Sequence, residues 1–313
     1  MEIDFSFESY FWGQFSKMRI DPKNTSTPKL HGYLLGAIGP RPIAFASTID
    51  KNGEVNLSPF SFFNVFSANP PILIFSPARR GRDNTVKHTY ENVKQVPEVV
   101  INIVNHSIVE QMSLSSTEYP KGTNEFIKAG LTPIASETVA PYRVKESPVQ
   151  FECMVKEIVE LGNEGGAGNL VICEVKMIHI NDDALDSEGR IDQTKIDLVG
   201  RMGGNYYVRA HGDALFEVAK PLQKLGIGVD AIPDEIKDSR ILSGNDLGKL
   251  GNVEQLPDET DVNDYKLTEL ADLFITHEDD SAALENALHL KAKKLLAEGQ
   301  VENAWKTLLS YND

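Results

Sequence analysis

Cysteine is nearly missing from this chain of 313 residues: Cys153 and Cys173 are the whole complement. Both sit in apolar, strand-like runs, where they suit facing positions on neighbouring strands, and two thiols are too few to staple a chain of this size. A reducing compartment is therefore expected, and with it a cytoplasmic protein. Long hydrophobic runs are missing as well. No stretch approaches the ~18 consecutive apolar residues of a membrane helix. The first ten residues carry Glu2, Asp4 and Glu8, where a secretory signal has a basic start and an apolar run. Positive charge is in deficit. The net charge of −15 makes a surface that repels phosphate backbones, which argues against a nucleic-acid partner. The deficit is uneven: residues 1–213 hold 26 acids against 21 Lys/Arg, and residues 214–313 hold 20 against 10. The acidic second stretch is read as a source of solubility.

Motifs for metal and nucleophile chemistry are also wanting. The seven histidines (His31, His88, His106, His179, His211, His277 and His289) form no HExxH pair, and neither cysteine belongs to a CxxC. There is no GxSxG elbow, and the acidic stretch 181–189 lacks EF-hand spacing. Residues 162–168 (GNEGGAG) have neither GxGxxG nor Walker spacing, and they join two strand patterns, so a flexible hairpin loop is expected there. No metal ligand and no acid–base or nucleophile set is assigned.

What is present is a series of short strands. Residues 1–30 read as an irregular lead-in, and from about residue 33 the texture is strand-like. Residues 42–49, 55–64, 72–75, 99–104, 149–161 and 170–180 have strand composition, with a hairpin signal at Asp50-Lys51-Asn52-Gly53. Asp83 suits the cap of a helix over residues 84–93. Few helices and many turns favour a β-barrel over a βαβ sheet. Beyond residue 213 the texture changes. Leu284, Ala287, Leu288, Lys291, Leu295 and Leu296 keep helical spacing, a second helix is expected over residues 301–309, and residues 244–264 read as an acidic linker.

Two segments carry the chemistry. Ala46-Ser47-Thr48 and then Asn56-Leu57-Ser58-Pro59-Phe60-Ser61-Phe62-Phe63-Asn64 interleave hydroxyls, an amide and aromatic rings, the mixture that the faces and edges of a flavin need. By composition alone a plain hairpin, polar outside and Phe inside, is the stronger reading. Pro77-Ala78-Arg79-Arg80-Gly81-Arg82-Asp83-Asn84-Thr85 brings three arginines to an expected helix start, which suits a terminal phosphate. The same cluster also reads as a surface patch paired with nearby acids. His88 follows it by one helical turn.

In this order the pieces resemble the flavin reductase-like family of the FMN-binding split barrel. The likeness rests on Arg41-Pro42-Ile43-Ala44-Phe45-Ala46-Ser47-Thr48, Gly53, the segment 56–64, Asn69-Pro70-Pro71, Arg82-Asp83-Asn84-Thr85, Val99-Val100-Ile101-Asn102 and the closing segment 198–207. It covers roughly residues 30–210. The fold implied is mainly β with helices: an FMN-binding split β-barrel over residues 1–213, with an acidic, partly helical C-terminal extension over residues 214–313. The resemblance implies a homodimer that binds FMN in preference to FAD, with NADH or NADPH as electron donor and a flavin or other small acceptor as substrate. The activity implied is an NAD(P)H-dependent flavin or electron-acceptor reductase; the alternative is a flavoredoxin-like electron carrier without nicotinamide activity. Carried over by position, Ser47 and Thr48 line the ring edge, while Ser61, Phe62, Phe63 and Asn64 embrace the ring and ribityl chain. Arg82, Asp83, Asn84 and Thr85 surround the phosphate, although relatives read Lys/Arg-Asp-Thr where this chain inserts Asn84. Tyr206 or Tyr207 covers a ring, and Arg79 and Arg80 serve the cofactor or steer the nucleotide.

Overall fold

A computed structural model describes residues 18–221 and 225–311, so most of the expected lead-in lies outside the described residues. The chain divides between Phe216 and Glu217 into two units. In the first unit, α1 (Thr27–Ala37) replaces the turn and strand texture expected there. Pro28 lies in its first turn, where a helix has no use for the missing N–H, so a residue that reads as a turn signal opens a helix. Four short strands follow: β1 (Ala44–Ile49), β2 (Val55–Phe60), β3 (Phe63–Ala68) and β4 (Pro71–Phe75). Then come α2 (His88–Gln95), β5 (Glu98–Ile103), α3 (Val109–Leu114) and α4 (Glu125–Ala129). The short pair β6 (Pro133–Ile134) and β7 (Arg143–Val144) precedes the long pair β8 (Val149–Glu160) and β9 (Asn169–Ile180). A closing pair, β10 (Val199–Arg201) and β11 (Tyr207–Arg209), ends the unit's strands.

Seven strands form one antiparallel sheet in the order β2-β1-β5-β8-β9-β4-β3. Its two edge strands, β2 and β3, are consecutive in sequence. Phe60 from one edge and Phe63 from the other pack on the same core cluster. A sheet whose two edges share one interior is curled, and with no ladder between β2 and β3 the curl is a split barrel. The run expected over residues 55–64 is thus two strands at opposite edges of the sheet, broken at Ser61-Phe62.

Alternation along β1 sorts its side chains. Ala44 and Ala46 enter the barrel interior with Phe60, Phe75, Val99 and Ile101, while Phe45 turns into a second core with Leu57, Met112 and Phe126. The two small residues leave room for the phenylalanines opposite. Cys153 and Cys173 share that interior as free thiols on adjacent strands, although the register offsets them: Cys153 faces Val175 and Cys173 faces Val155. Burial pushes the Cys153 thiol up to about 12, so it packs as a small apolar group.

The second unit is helical: α5 (Asp234–Lys237), α6 (Gly244–Leu250), α7 (Glu259–Glu269), α8 (Ala271–Thr276), α9 (Ser281–Ala297) and α10 (Val301–Leu309). The last two follow the apolar spacing in the sequence. The stretch 244–264, expected as linker, instead holds α6 and part of α7. Ser243 and Asp246 form a capping box on α6, and the Asp258 side chain accepts the Asp261 N–H at the start of α7. The acids that suggest a linker are helix starts. Trp305 is fully buried among Leu250, Leu296 and Leu308, and its indole N–H donates to the Leu250 carbonyl at 3.1 Å.

A buried charge ties the segment before β7 to the barrel. Glu152 on β8 has no exposed surface. It accepts the amides of Glu137 (2.9 Å) and Thr138 (2.6 Å) and the Thr138 hydroxyl (2.6 Å), and His179 Nε2 lies 2.7 Å away. Burial pushes its carboxyl up, but these hydrogen bonds outweigh burial and hold it at about 2. A depressed folded value means stability that is present above the ordinary carboxylate range and lost as pH falls from about 4.5 towards 2. Glu152→Ala is expected to cost about 3 kcal/mol at neutral pH and to flatten that acid limb. Urea melts between pH 2 and 7 check this, and a variant with wild-type midpoints throughout contradicts it.

Candidate functional site

Ser58 and Pro59 at the end of β2, with Ser61 and Phe62 in the break before β3, line one wall of a cleft of about 440 Å³. That size lies within the range of small-molecule sites. Arg79, Arg80 and Arg82 form a second wall, and Lys87, Ser116 and Glu118 face into the same space. His31 of α1 completes the aromatic end, edge-on to Phe62 with ring centroids 6.3 Å apart. The cleft is therefore apolar and hydroxyl-bearing at one end and cationic at the other. Arg41, buried behind it, fixes the geometry: its guanidinium donates to the Leu35 and Met202 carbonyls at 2.8 and 2.9 Å and also to Ile38, joining the end of α1 to the segment after β10. Unpaired carbonyls at the helix end gain donors in this way.

The arginine segment does not open a helix at residue 84. Asp83 instead closes a turn on itself, accepting the Thr85 N–H (3.1 Å) and hydroxyl (2.6 Å), and Asn84 takes a left-handed φ of 57°. Asparagine tolerates that region better than most residues, which is the local reason for the extra Asn84. The helix begins only at His88, with no side-chain cap. The basic groups of this segment therefore stand on a loop, not at the helix start that the sequence suggests. Arg79 donates to the Asn84 side chain (2.6 Å) and carbonyl (2.7 Å), and Arg80 donates to Thr85 Oγ1 (3.0 Å) and to the Val86 carbonyl, so both are held in place. The reading of a patch paired with acids also has substance, because Glu118 contacts Arg80, Arg82 and Lys87.

The glycine stretch 162–168 has a role that composition does not disclose. It lies against the arginine loop: Arg79 N–H donates to the Ala167 carbonyl (2.8 Å), Gly166 N–H to the Arg79 carbonyl (3.1 Å), and Asn84 Nδ2 to the Asn163 carbonyl (2.9 Å). A Cβ on Gly165 would stand 3.2 Å from the Arg80 and Gly81 carbonyl oxygens, a tight contact that would make the two loops give by a few tenths of an ångström.

Of the residues expected at the site, Ser61, Phe62 and Arg82 line the cleft, and Asp83, Asn84 and Thr85 shape the turn beside it. Phe63 packs into the barrel interior. Asn64 is exposed on β3, its side chain accepting the Val65 N–H. Ser47 and Thr48 line no part of the cleft: both are fully buried in β1, Thr48 accepts from Asn92 at 3.2 Å, and Ser47 Oγ has no hydrogen-bond partner among the described residues. Tyr206 and Tyr207 are exposed away from this cleft, with Arg201 over the Tyr207 ring. The sequence reading missed His31, Lys87, Ser116 and Glu118. Lys87 could have been found as the end of the basic run; Glu118, 36 residues beyond Arg82, carries no such signal. Among the described residues no cluster suited to a metal ion occurs, and no helix is long and apolar enough to cross a membrane.

Comparison with known proteins decides the family. The model of the flavin reductase like domain matches residues 37–195, which contain the barrel and most of the cleft. The chain belongs to this family. An uncharacterized protein of Aquifex aeolicus is 39% identical over 196 residues, covering 63% of this chain and 97% of that protein. The crystal structure of nitrilotriacetate monooxygenase component B from Bacillus cereus is 30% identical with a TM-score of 0.60, covering 65% of this chain and all but 1% of its own. A Shewanella frigidimarina structure, described as a flavin reductase with a split barrel domain, is 29% identical with a TM-score of 0.54 and is covered in full. The split barrel of this flavin reductase-like chain is thus shared with solved relatives, and its helical second unit lies outside the family match.

Because Gly165 sets the approach of two loops, Gly165→Val is expected to push the arginine loop outward at a cost of about 1–3 kcal/mol. Limited digestion with trypsin, followed by mass spectrometry, should then show faster cleavage after Arg80 and Arg82. Equal cleavage rates in variant and wild type would mean that the glycine loop does not hold them.

Proposed function

We propose that this protein is an FMN-binding reductase that passes a hydride from NADH or NADPH to flavin. The observation that carries the proposal is the polarity of the cleft. Arg80, Arg82 and Lys87 converge at one end, and Ser58, Ser61, Phe62 and His31 meet at the other, within a volume suited to a flavin. The donor set fits FMN: guanidinium forks and an ammonium group for a terminal phosphate, hydroxyls for polar ring edges, and aromatic surface for a ring face. When bound, the flavin supplies the hydride-accepting ring.

The chain's own residues have positioning work. Arg80 and Arg82 anchor the phosphate end, Asp83, Asn84 and Thr85 set the turn that presents them, and Ser58, Ser61 and Phe62 orient the ring end. Ser47 and Thr48 act from behind, since β1 pairs Ala46 with Ser58 and Thr48 with Asn56 and so fixes the strand that carries Ser58. No side chain need deliver a proton for hydride to move between two stacked rings; proximity and orientation dominate such a step. The apolar, exposed Leu34 of α1, Ile38 just after it, and Val65 and Phe66 of β3 suit burial against a second copy, which supports a homodimer.

The test is an anaerobic absorbance spectrum of purified protein with FMN, before and after NADH and NADPH. Flavin absorbance near 450 nm, roughly the free-flavin band, is expected to bleach with one or both nucleotides within seconds. Bound flavin that stays oxidised would assign the protein to the electron carriers instead.

A further inference from the structure

The cations at the phosphate end already hold an anion supplied by the chain. Arg80 Nε donates to Glu118 Oε1 at 3.1 Å, Arg82 Nη2 to Glu118 Oε2 at 3.0 Å, and Lys87 Nζ lies 3.7 Å from Oε1. Two oxygens of one carboxylate on two guanidinium groups, with an ammonium beside them, use the same donors that phosphate oxygens use. We propose that Glu118 is the specificity-determining counter-anion of this site. A flavin monophosphate gains Arg80, Arg82 and Lys87 by displacing the Glu118 carboxylate, and the flavin is thereby held as an exchangeable substrate. This rests on the flavin reading given above.

Three observations favour displacement over a purely structural role. First, the two arginines do not depend on Glu118 for their placement: Arg80 is also held by Thr85 Oγ1 and the Val86 carbonyl, and Arg82 by Asp83 at 3.1 Å. Second, exposure is asymmetric. The Arg80 side chain is 16% exposed, whereas that of Glu118 is 44% exposed and can turn into water with little loss of hydration; Arg82, 73% exposed, does not share this asymmetry. Third, the charges match. With Glu118 displaced and Asp83 still on Arg82, three cations against one carboxylate leave two positive charges, and one phosphate monoester carries up to two negative charges at neutral pH. Hydrogen bonds from Arg82 and then Arg80 hold the Glu118 carboxyl below its ordinary range, so it competes as an anion throughout the neutral region.

A tethered competitor lowers the apparent affinity for its rival by the fraction of time it occupies the site. Solvent-exposed ion pairs of this kind are weak, corresponding to at most roughly fivefold in affinity. The experiment is a pair of titrations by quenching of flavin fluorescence, with FMN and with riboflavin, on the full-length wild type, Glu118→Gln and Glu118→Ala. Both variants are expected to bind FMN about fivefold more tightly and to release it more slowly, while riboflavin affinity is unchanged. FMN affinity that is unaltered or weaker in both variants would overturn the proposal and make Glu118 a positioning residue for the arginines. Equal tightening of riboflavin would overturn it too, since riboflavin has no phosphate. Two variants guard against a folding defect in one, which a melt would reveal, and the alanine excludes a new hydrogen bond from glutamine. A wild-type protein that binds neither flavin would sink the flavin reading itself, an outcome distinct from those above.

Discussion

The antiparallel pairing of the twelve-residue strands β8 and β9 is the constraint on which the first unit depends. It joins β5 and its neighbours on one side to β4 and β3 on the other, so that without it the sheet would fall into two halves. Its register, shifted by two irregularities, places Cys153 and Cys173 in the barrel interior. The same pair carries Glu152, which gathers the segment before β7, and its turn carries the glycine loop that braces Arg79 and Gly81. One ladder therefore fixes the barrel and, through its turn, the position of the cations.

The site shows how an acidic chain can present an anion-binding surface. Net charge governs long-range encounter, but at contact distance the local arrangement decides. Arg79 is held by neutral partners, the Asn84 side chain and carbonyl, and Arg80 by Thr85 Oγ1 and the Val86 carbonyl beside its ion pair with Glu118. Among the described residues Asp83 and Glu118 form ion pairs with the cluster. The turn at Asn84, strained by its positive φ, is stabilised by the Asp83 contacts to Thr85, so the Asp-Asn-Thr sequence serves geometry more than ligand contact.

Where hydrophobic periodicity is strong, the sequence is a sound guide. β4, β5, β8, β9, α9 and α10 lie where their apolar patterns place them, because each buries one face or both against a core. The failures have local causes. Pro28 reads as a break yet opens α1, and Ser243 with Asp246 and Asp258 read as linker chemistry yet cap α6 and α7. Strand composition continues unbroken through Ser61 and Phe62, so nothing local marks the crossing from one edge of the sheet to the other. At the site, the arginine cluster and the hydroxyl-aromatic segment holding Ser61 and Phe62 were legible as motifs, but the break between strands was not. The burial of Ser47 and Thr48 was not, because short hydroxyl residues look alike on a cleft wall and inside a barrel. Glu118 and the bracing glycine loop are products of tertiary folding alone.

The central claim is that the cations around Arg80 receive the phosphate of a flavin. The measurement that tests it most directly is the affinity of the wild-type protein for FMN and for riboflavin, compared by calorimetry at low salt and again at high salt. The account predicts FMN to be favoured by at least tenfold, about 1.4 kcal/mol and within the strength of one charge-assisted hydrogen bond, with the gap narrowing as salt screens the partly exposed cations. Equal affinities at every salt concentration would contradict it.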